Sequence, residues 1–337
     1  MTDGIFVNKL FERDSLSQLD NVLFILISGR SGSGKSTLKE YLIKSLSDEK
    51  TKVIPVPFAG LVKYLAYKHF GLVFEKDIPN IPLFKWLYEH DYIFSNGEPY
   101  SNSSRKLTKD EFVKVLFFVA RSMMKQYETI LITAKGIMYK YFPHMYSELQ
   151  TKLSEVYPKE YIKKHVLFGG DIREELLRYL SAFEIVLSDV ISELYNAYVD
   201  VNIRRFLQLF ATEFMKEIYG QDIWTLMHMT VNVGAGRTIK ECKVMTKQVI
   251  FIVDDVRFHT EHFYVKYLHR NVFKYLGVNA NVVHIGLRAK DENVFNHASE
   301  NEINDILKYT DIVYENKKTG IDEFKTILEF VKTFISR

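Results

Sequence analysis

The sequence predicts an α/β fold, a central parallel sheet covered by helices on both faces, interrupted by a mostly helical insertion. Three observations predict it: short continuous apolar runs rich in β-branched residues, amphipathic helical patterns between them, and one long stretch that breaks this alternation. Residues 22–28 form the first apolar run and end at Gly29; Leu38, Tyr41, Leu42 and Leu46 follow at helical spacing, giving strand, glycine loop, helix. Residues 52–57 read as a short extended segment, 248–253 and 281–285 as buried strands, and 311–314 as a last strand. Leu207, Phe210, Phe214 and Ile218 mark one intervening helix, and Ile321, Phe324, Leu328, Val331 and Ile335 mark the C-terminal one.

Residues 75–165 do not follow this order, being mostly helical in pattern, rich in Tyr, Phe and Lys, and broken by the polar turn at 95–104. With only 16 Gly and 7 Pro, no low-complexity linker and no repeat, nothing separates independent domains. The expected organisation is a single domain over 1–337, with core segments 20–74 and 166–337 and an inserted helical subdomain at about 75–165. That subdomain is expected to have a small core of its own, including Trp86, Leu116, Phe117 and Phe118, with Lys106, Lys109 and Lys114 in solvent.

Of the 337 residues 47% are hydrophobic and 14% aromatic, enough for a large core and wrong for a disordered or fibrous chain. Forty-five Lys and Arg against 42 Asp and Glu leave a net charge of +3, too near balance for a nucleic-acid coat or a polybasic membrane binder. An anionic ligand must therefore be held by local charge. Cys242 is the only cysteine, so an intrachain disulfide or multi-cysteine zinc site is excluded, in keeping with a reducing compartment. The longest apolar runs, 22–27 and 115–120, are six residues each, against the roughly 18 to 20 that span a bilayer. The N-terminus lacks a signal peptide's basic start and apolar middle, so a soluble, unprocessed cytoplasmic protein without a membrane partner is expected.

Residues 29–36, G-R-S-G-S-G-K-S, satisfy G-x-x-x-x-G-K-[ST] between a predicted strand and a predicted helix, which is the context of a phosphate-binding P-loop. Gly29, Gly32 and Gly34 let the backbone wrap a phosphate with its N–H groups inward. Lys35 reaches the β- and γ-phosphates and Ser36 offers a hydroxyl to Mg²⁺. The predicted architecture is accordingly a P-loop NTPase three-layer sandwich. Further on, Asp254 and Asp255 stand where a second core strand ends, the edge at which open α/β sheets bind ligands. Either carboxylate suits Mg²⁺ or its water, Asp254 being the candidate ligand beside Ser36, and the Arg257 fork matches phosphate oxygens. The bland alternative has one Asp capping the helix near Thr260 and Arg257 pairing with Glu261. Arg204, Gln208, Ala211 and Met215 form a second helix face that can line a cleft, and Trp224 either stacks on a base or anchors the core.

With these segments placed, the chain resembles the deoxynucleoside monophosphate kinases of bacteriophages. After the glycine loop, residues 58–63 (F-A-G-L-V-K) look like that family's F-A-D-P-L-K, and 204–213 (R-R-F-L-Q-L-F-A-T-E) with 222–224 (D-I-W) look like R-R-x-L-Q-x-x-G-T-E and D-x-W. Residues 255–258 with Glu261 look like D-V-R-F-x-x-E, residues 297–300 like H-x-S-E, and 309–316 like a final strand whose Asn precedes the last helix. The motifs span most of 22–74 and 200–330; Gly60, Ala211 and Lys216 depart from them, and 75–165 has no counterpart.

The resemblance implies a nucleoside monophosphate kinase-like P-loop fold, with ATP and Mg²⁺ as donor and a deoxynucleoside 5′-monophosphate as acceptor, serving viral DNA precursor synthesis. It places ATP on Gly29, Ser31, Gly32, Ser33, Gly34, Lys35, Ser36, Thr37 and Asn316, and the acceptor on Lys63, Arg204, Gln208, Ala211, Trp224, Asp255, Arg257 and Glu261. Lys35, Arg257 and Arg288 are the implied catalytic cations, with Arg288 and the segment to 300 closing over the site. ATP and the monophosphate are the expected partners, nucleic acid is not, a homodimer is compatible, and the compartment is the host cytoplasm if the protein is viral. Ser299 and Glu302 read as a capping box, and His297 is open between a lid contact and a surface residue. Two other classes remain, a nucleic-acid-linked P-loop NTPase and a non-catalytic nucleotide-binding protein. The first wants a glutamate after the strand-end Asp, where this chain has Asp255 and Val256; the second is favoured by Gly60 and Ala211.

Overall fold

The computed structural model describes residues 19–72, 105–130, 135–159, 162, 188–228, 247–289, 298–316 and 324–335. Five strands form one sheet: β1 (Asn21–Gly29), β2 (Thr51–Pro55), β3 (Gln248–Val256), β4 (Asn279–Ala289) and β5 (Ile312–Asn316). They lie in the order β2-β3-β1-β4-β5, and every neighbouring pair is parallel. Each strand falls on a predicted apolar run, extended at the ends by residues whose backbone pairs although their side chains break the pattern. The α/β class with a parallel sheet is therefore observed.

The helices in chain order are α1 (Lys35–Leu46), α2 (Ala59–Phe70), α3 (Lys109–Ile130), α4 (Gly136–Tyr141), α5 (Pro143–Val156), α6 (Ser188–Val199) and α7 (Ile203–Gln208). A π-helical stretch, Leu209–Lys216, prolongs α7, and α8 (Ile223–His228) follows. Next come α9 (His259–Phe263), which runs through a π-helical turn at Tyr264–His269 into Arg270–Tyr275, then α10 (Ala298–Ile306) and α11 (Lys325–Ile335). Trp86, His297 and Cys242 lie outside the described residues. Among the described residues no helix is long and apolar enough to cross a membrane.

Alternation along the strands sends successive side chains to opposite faces, and the two faces differ. Leu23, Ile25 and Ile27 of β1, with Ile250, Ile252, Val283 and Ile285, pack under Leu38 and Leu42 of α1 and Ile327 and Val331 of α11. Val22, Phe24 and Leu26, with Phe251 and Val253, meet the other helices in an aromatic-rich cluster. The described part of the insertion is helical as expected, but it has no separate core. Phe112, Leu116, Val119 and Met123 of α3 and Leu149 and Leu153 of α5 belong to the same cluster as Phe24 and Phe251. An amphipathic helix needs one apolar partner surface, and here the helices over that face supply it: α3 packs on α2, α6 and α8, and α5 packs on α9. Of the residues expected to centre that subdomain, Leu116 is buried while Phe117 and Phe118 are half-buried. Lys106, Lys109 and Lys114 are exposed, although Lys106 donates to the Val199 carbonyl.

Candidate functional site

The carboxyl ends of β1, β3, β4 and β5 bring together the sequence's candidate residues. The glycine loop leaves β1 and enters α1, whose N-terminus has no side-chain cap and no acid in its first turn. That leaves the positive end of a 12-residue helix uncompensated. Gly34 has φ 93° and abuts the Asn316 side chain, while a Cβ on Gly29 would stand 2.6 Å from the Leu287 carbonyl oxygen, so neither position accepts a side chain. The Lys35 ammonium lies over the loop, donating to the carbonyls of Gly29 and Arg30, the latter at 2.7 Å. Ser31, Gly32, Ser36 and Thr37 are exposed or half-exposed at the loop and first helical turn, whereas Ser33 is buried. Asn316, from β5, donates its amide to the Ser33 carbonyl at 3.0 Å, which ties the sheet edge to the loop.

At the end of β3 the pairing with β1 slips, because Leu26 faces Val253 but Ser28 faces Val256. This bulge at Asp254 and Asp255 turns the two carboxylates to different tasks. Asp254, 11% exposed, pairs at 2.8 Å with Lys39, one turn beyond Lys35 on α1. Asp255 takes the backbone N–H groups of Phe58 (2.8 Å) and Ala59 (2.7 Å), and so caps α2. Burial, with the Asp254 charge beside it, pushes the Asp255 carboxyl up, and those two N–H donors pull against the shift. The bland expectation of an Asp cap on the helix near Thr260 is corrected: the cap goes to a helix far away in sequence. Glu261 serves that nearer turn itself, its Oε2 accepting from the backbone N–H of Arg257 (2.7 Å) and of Phe258 (3.0 Å). Burial raises the Glu261 carboxyl to about 7, against the opposing charge of Lys216.

Lys216, noticed in the sequence only as a departure from a motif, is the residue that sequence reasoning missed here. It is 2% exposed, its Nζ sits 3.3 Å from the centre of the Phe258 ring, and it has no hydrogen-bond acceptor among the described residues. Burial lowers its pKa, and the charges of Glu261, Glu302 and Asp222 oppose that. Lys39 was missed too, although its spacing of four from Lys35 was the available signal.

Other candidates are placed less uniformly. Lys63 on α2 and Gln208 on α7 are half-buried, Arg204 is exposed, and Arg257 is half-buried in the β3–α9 turn. Met215 is fully buried, so the α7 face does not continue that far. Trp224 is 5% exposed, packs near Phe210 with ring centres 6.3 Å apart, and donates its indole N–H to the Ala211 carbonyl at 2.8 Å. Its indole therefore anchors the core, and the Ala211 carbonyl is occupied. Arg288 is exposed near the end of β4. Of the expected capping box, the Glu302 carboxylate turns to His259 and Tyr157, and the Ser299 side chain lies outside what the structure describes.

Two buried polar groups lie beneath this edge. Asp222, fully buried, pairs with Lys135 at 2.7 Å and accepts from the hydroxyls of Tyr264 (2.7 Å) and Tyr127 (3.1 Å). Ser28, the residue before Gly29, donates its hydroxyl to the Val256 carbonyl at 3.0 Å and meets His284 Nε2 at 2.7 Å. His284 Nδ1 meets His262 Nδ1 at 2.8 Å. Because Ser28 spends its proton on Val256, His284 donates from Nε2, and its Nδ1 then accepts from His262. The His262 Nε2 is left bare, which agrees with its having no partner among the described residues.

Among the described residues no cluster of three or more His, Cys, Asp or Glu side chains is arranged to hold a metal. The Ser36 hydroxyl and the Asp254 carboxylate are nevertheless the hard oxygen donors that Mg²⁺ takes, and a phosphate-bound Mg²⁺ needs only one or two protein ligands. No protein-family model matches the chain, and no curated protein matches it.

Proposed function

We propose that the chain is a nucleoside monophosphate kinase that transfers the γ-phosphate of ATP to a deoxynucleoside 5′-monophosphate, on a P-loop fold. One observation carries the reading: a glycine loop with its lysine, at the head of an uncapped helix, stands beside a strand end whose two carboxylates face opposite ways. Asp254 faces α1 and the loop, while Asp255 braces the start of α2 beside the Arg257 turn. A transferase needs donor and acceptor on either side of one strand end, and the two carboxylates divide that end in this way. The resemblance to the bacteriophage deoxynucleoside monophosphate kinases adds the substrate class.

The loop amides and Lys35 hold the β- and γ-phosphates, and Ser36 with Asp254 holds Mg²⁺, which supplies charge neutralisation to the transferring group. Lys39 keeps the Asp254 carboxylate on the loop side of the strand end. Arg257 and Arg204 take the acceptor's phosphate, whose attacking oxygen is already ionised at neutral pH, so no general base is required. Lys63 and Gln208 line the acceptor side, and Arg288 lies toward the donor. Trp224 supports this wall from within the core instead of stacking on the base. Assaying ADP release from the purified chain, with ATP and Mg²⁺ and with each deoxynucleoside monophosphate in turn, tests the reading. Release that depends on a monophosphate is expected; release with ATP alone, unchanged by every monophosphate, would overturn it.

A further inference from the structure

The Arg257 turn is held from its other side by the inserted helices. Glu302 Oε2, on α10, accepts three hydrogen bonds: from the Tyr157 hydroxyl at 3.0 Å, from His259 Nδ1 at 3.0 Å and from the His259 backbone N–H at 3.3 Å. His259 follows Phe258 directly, so one carboxylate fixes the third residue of a turn whose first two N–H groups are fixed by Glu261. The imidazole is 1% exposed and is enclosed by the rings of Tyr157, Phe263 and Tyr309, with centres 6.1, 6.2 and 5.6 Å away. With Nδ1 donating to Glu302, Nε2 stays bare among the described residues, so the ring has one orientation that satisfies its donor.

Tyr157 comes from the insertion. It stands one residue past the end of α5, its backbone N–H donating to the Leu153 carbonyl at 2.9 Å, so its hydroxyl moves as α5 moves. Phe258, between the two braces, is covered by the buried Lys216 ammonium. The turn carrying Arg257 thus has one brace from its own helix and another shared by α10 and the insertion. An arginine that binds a phosphate from a loose turn loses entropy on binding; one on a braced turn has lost it already.

We propose that Tyr157 and Glu302 are positioning residues for the acceptor, and that through them the inserted helices set the affinity for the monophosphate while supplying no group that touches it. This rests on the proposed kinase reading for the identity of the ligand, but the mechanical tie stands apart from it.

The test uses the full chain with Tyr157→Phe, which deletes one hydroxyl and keeps the ring, and with Glu302→Gln, which keeps the shape and removes the charge. In steady-state assays each variant is expected to raise KM for the monophosphate by about 3- to 10-fold, the effect of one hydrogen bond, with kcat and KM for ATP within about twofold. Equal changes in both KM values, or none, would overturn the proposal. Amide hydrogen exchange of residues 257–259, measured with no substrate, is the independent arm. Exchange there should quicken several-fold in both variants, while the β1 and β4 amides and the thermal midpoint hold. Unchanged exchange at the turn overturns the tie, and faster exchange throughout the molecule makes the two side chains general supports and overturns it as well. Should the wild-type chain phosphorylate no monophosphate, the kinase reading fails on that assay while the exchange result still decides the brace.

Discussion

The two faces of the sheet are built from the same five strands and from different chemistry. The face under α1 and α11 is aliphatic, with Leu23, Ile25, Ile27, Ile250, Ile252 and Val283 buried against Leu38, Leu42, Ile327 and Val331. The face under α2, α3, α7 and α9 mixes Phe24, Phe251, Phe210 and Tyr264 with buried His228, His269, His284, Lys216 and Asp222. The glycine loop springs from the strand between them. Its proposed donor side rests on a scaffold with little to titrate, and the proposed acceptor side rests on one that is full of ionisable groups. A scaffold of the first kind holds its shape whatever the pH, while one of the second depends on each buried polar group keeping its partner and its protonation state.

The largest expected contrast is therefore in acid. Burial holds His262 and His269 well below their ordinary pKa, and lowers His69 and His284 to about 3 and His228 to about 4. Each is neutral in the fold and binds a proton more readily once unfolded. Their contribution is intact above pH 6.5 and falls as pH drops toward the folded values, by about 1.4 kcal/mol per histidine per pH unit. Glu261, raised to about 7, and Asp255, also pushed up by burial, have the opposite sign and become less costly as pH falls, but they are two groups against five. Chemical denaturation at pH 8, 6.5 and 5.5 should show a steep loss below 6.5, enough to threaten a fold with roughly 5–15 kcal/mol in hand. A flat profile from 7 to 5.5 would mean that the histidine face opens without unfolding.

Next in size is the loop. Lys35→Ala should lower ATP turnover on the order of 10³-fold, by analogy with other cations on a transferring phosphate. The thermal midpoint should hardly move, because the lysine sits on an exposed loop, donating to its carbonyls, and the scaffold below is apolar. Beneath the opposite face, Asp222→Ala should cost about 3–5 kcal/mol, since it removes the buried carboxylate that pairs with the Lys135 ammonium. That side chain is 2% exposed, with Asp222 as its ion-pair partner and the hydroxyls of Tyr127 and Tyr264 on the same carboxylate. The readout is the denaturant midpoint, and a loss below about 1 kcal/mol would show that water reaches Lys135. The two substitutions pull apart what the faces do, one affecting chemistry without stability and the other stability first.

Much of the glycine-loop side was legible in the sequence because its signals are local. Strand, glycine loop and helix follow each other within residues 22–46, and Leu38, Leu42 and Leu46 alternate with exposed positions at one period. All five strands were found where β-branched runs stand. The proposed acceptor side was legible in its residue types and not in their partners. Asp255 was expected at a ligand or on its own helix, and it caps α2 instead, because a sheet pairs residues that the chain keeps far apart. Lys135, Asp222 and Tyr127 share no motif and no period, so nothing in the sequence announced their network. The insertion misled for a related reason. Its helical pattern showed an apolar stripe but not which surface the stripe would cover, and the helices over the aromatic face took it.

Arg257→Ala is a smaller test that divides the site itself. The loss of one charge-assisted contact, about 1.5–3 kcal/mol, should appear as a rise of roughly 10- to 150-fold in KM for the monophosphate, with KM for ATP nearly unchanged. An effect confined to ATP would move Arg257 to the donor side of the strand end.

The smallest effect belongs to the aliphatic face and gives the contrast its control. Ile327 on α11 is fully buried in a cluster whose buried members carry no titratable group, Leu38, Ile25 and Val283 among them. Ile327→Val removes one methylene and should cost about 0.5–1.5 kcal/mol, the usual range for that change in a packed core. What matters is that the cost should be the same at pH 8 and at pH 6.5, since the cavity borders no group that changes charge. A substitution of equal size on the other face, Ile223→Val in the cluster that holds Phe24, Phe251 and Val256, should cost more at the lower pH. There, loosened packing admits water to imidazoles that burial alone keeps neutral. Equal pH dependence at the two positions would show that the sheet transmits strain between its faces and that their chemical difference has no separate consequence for stability.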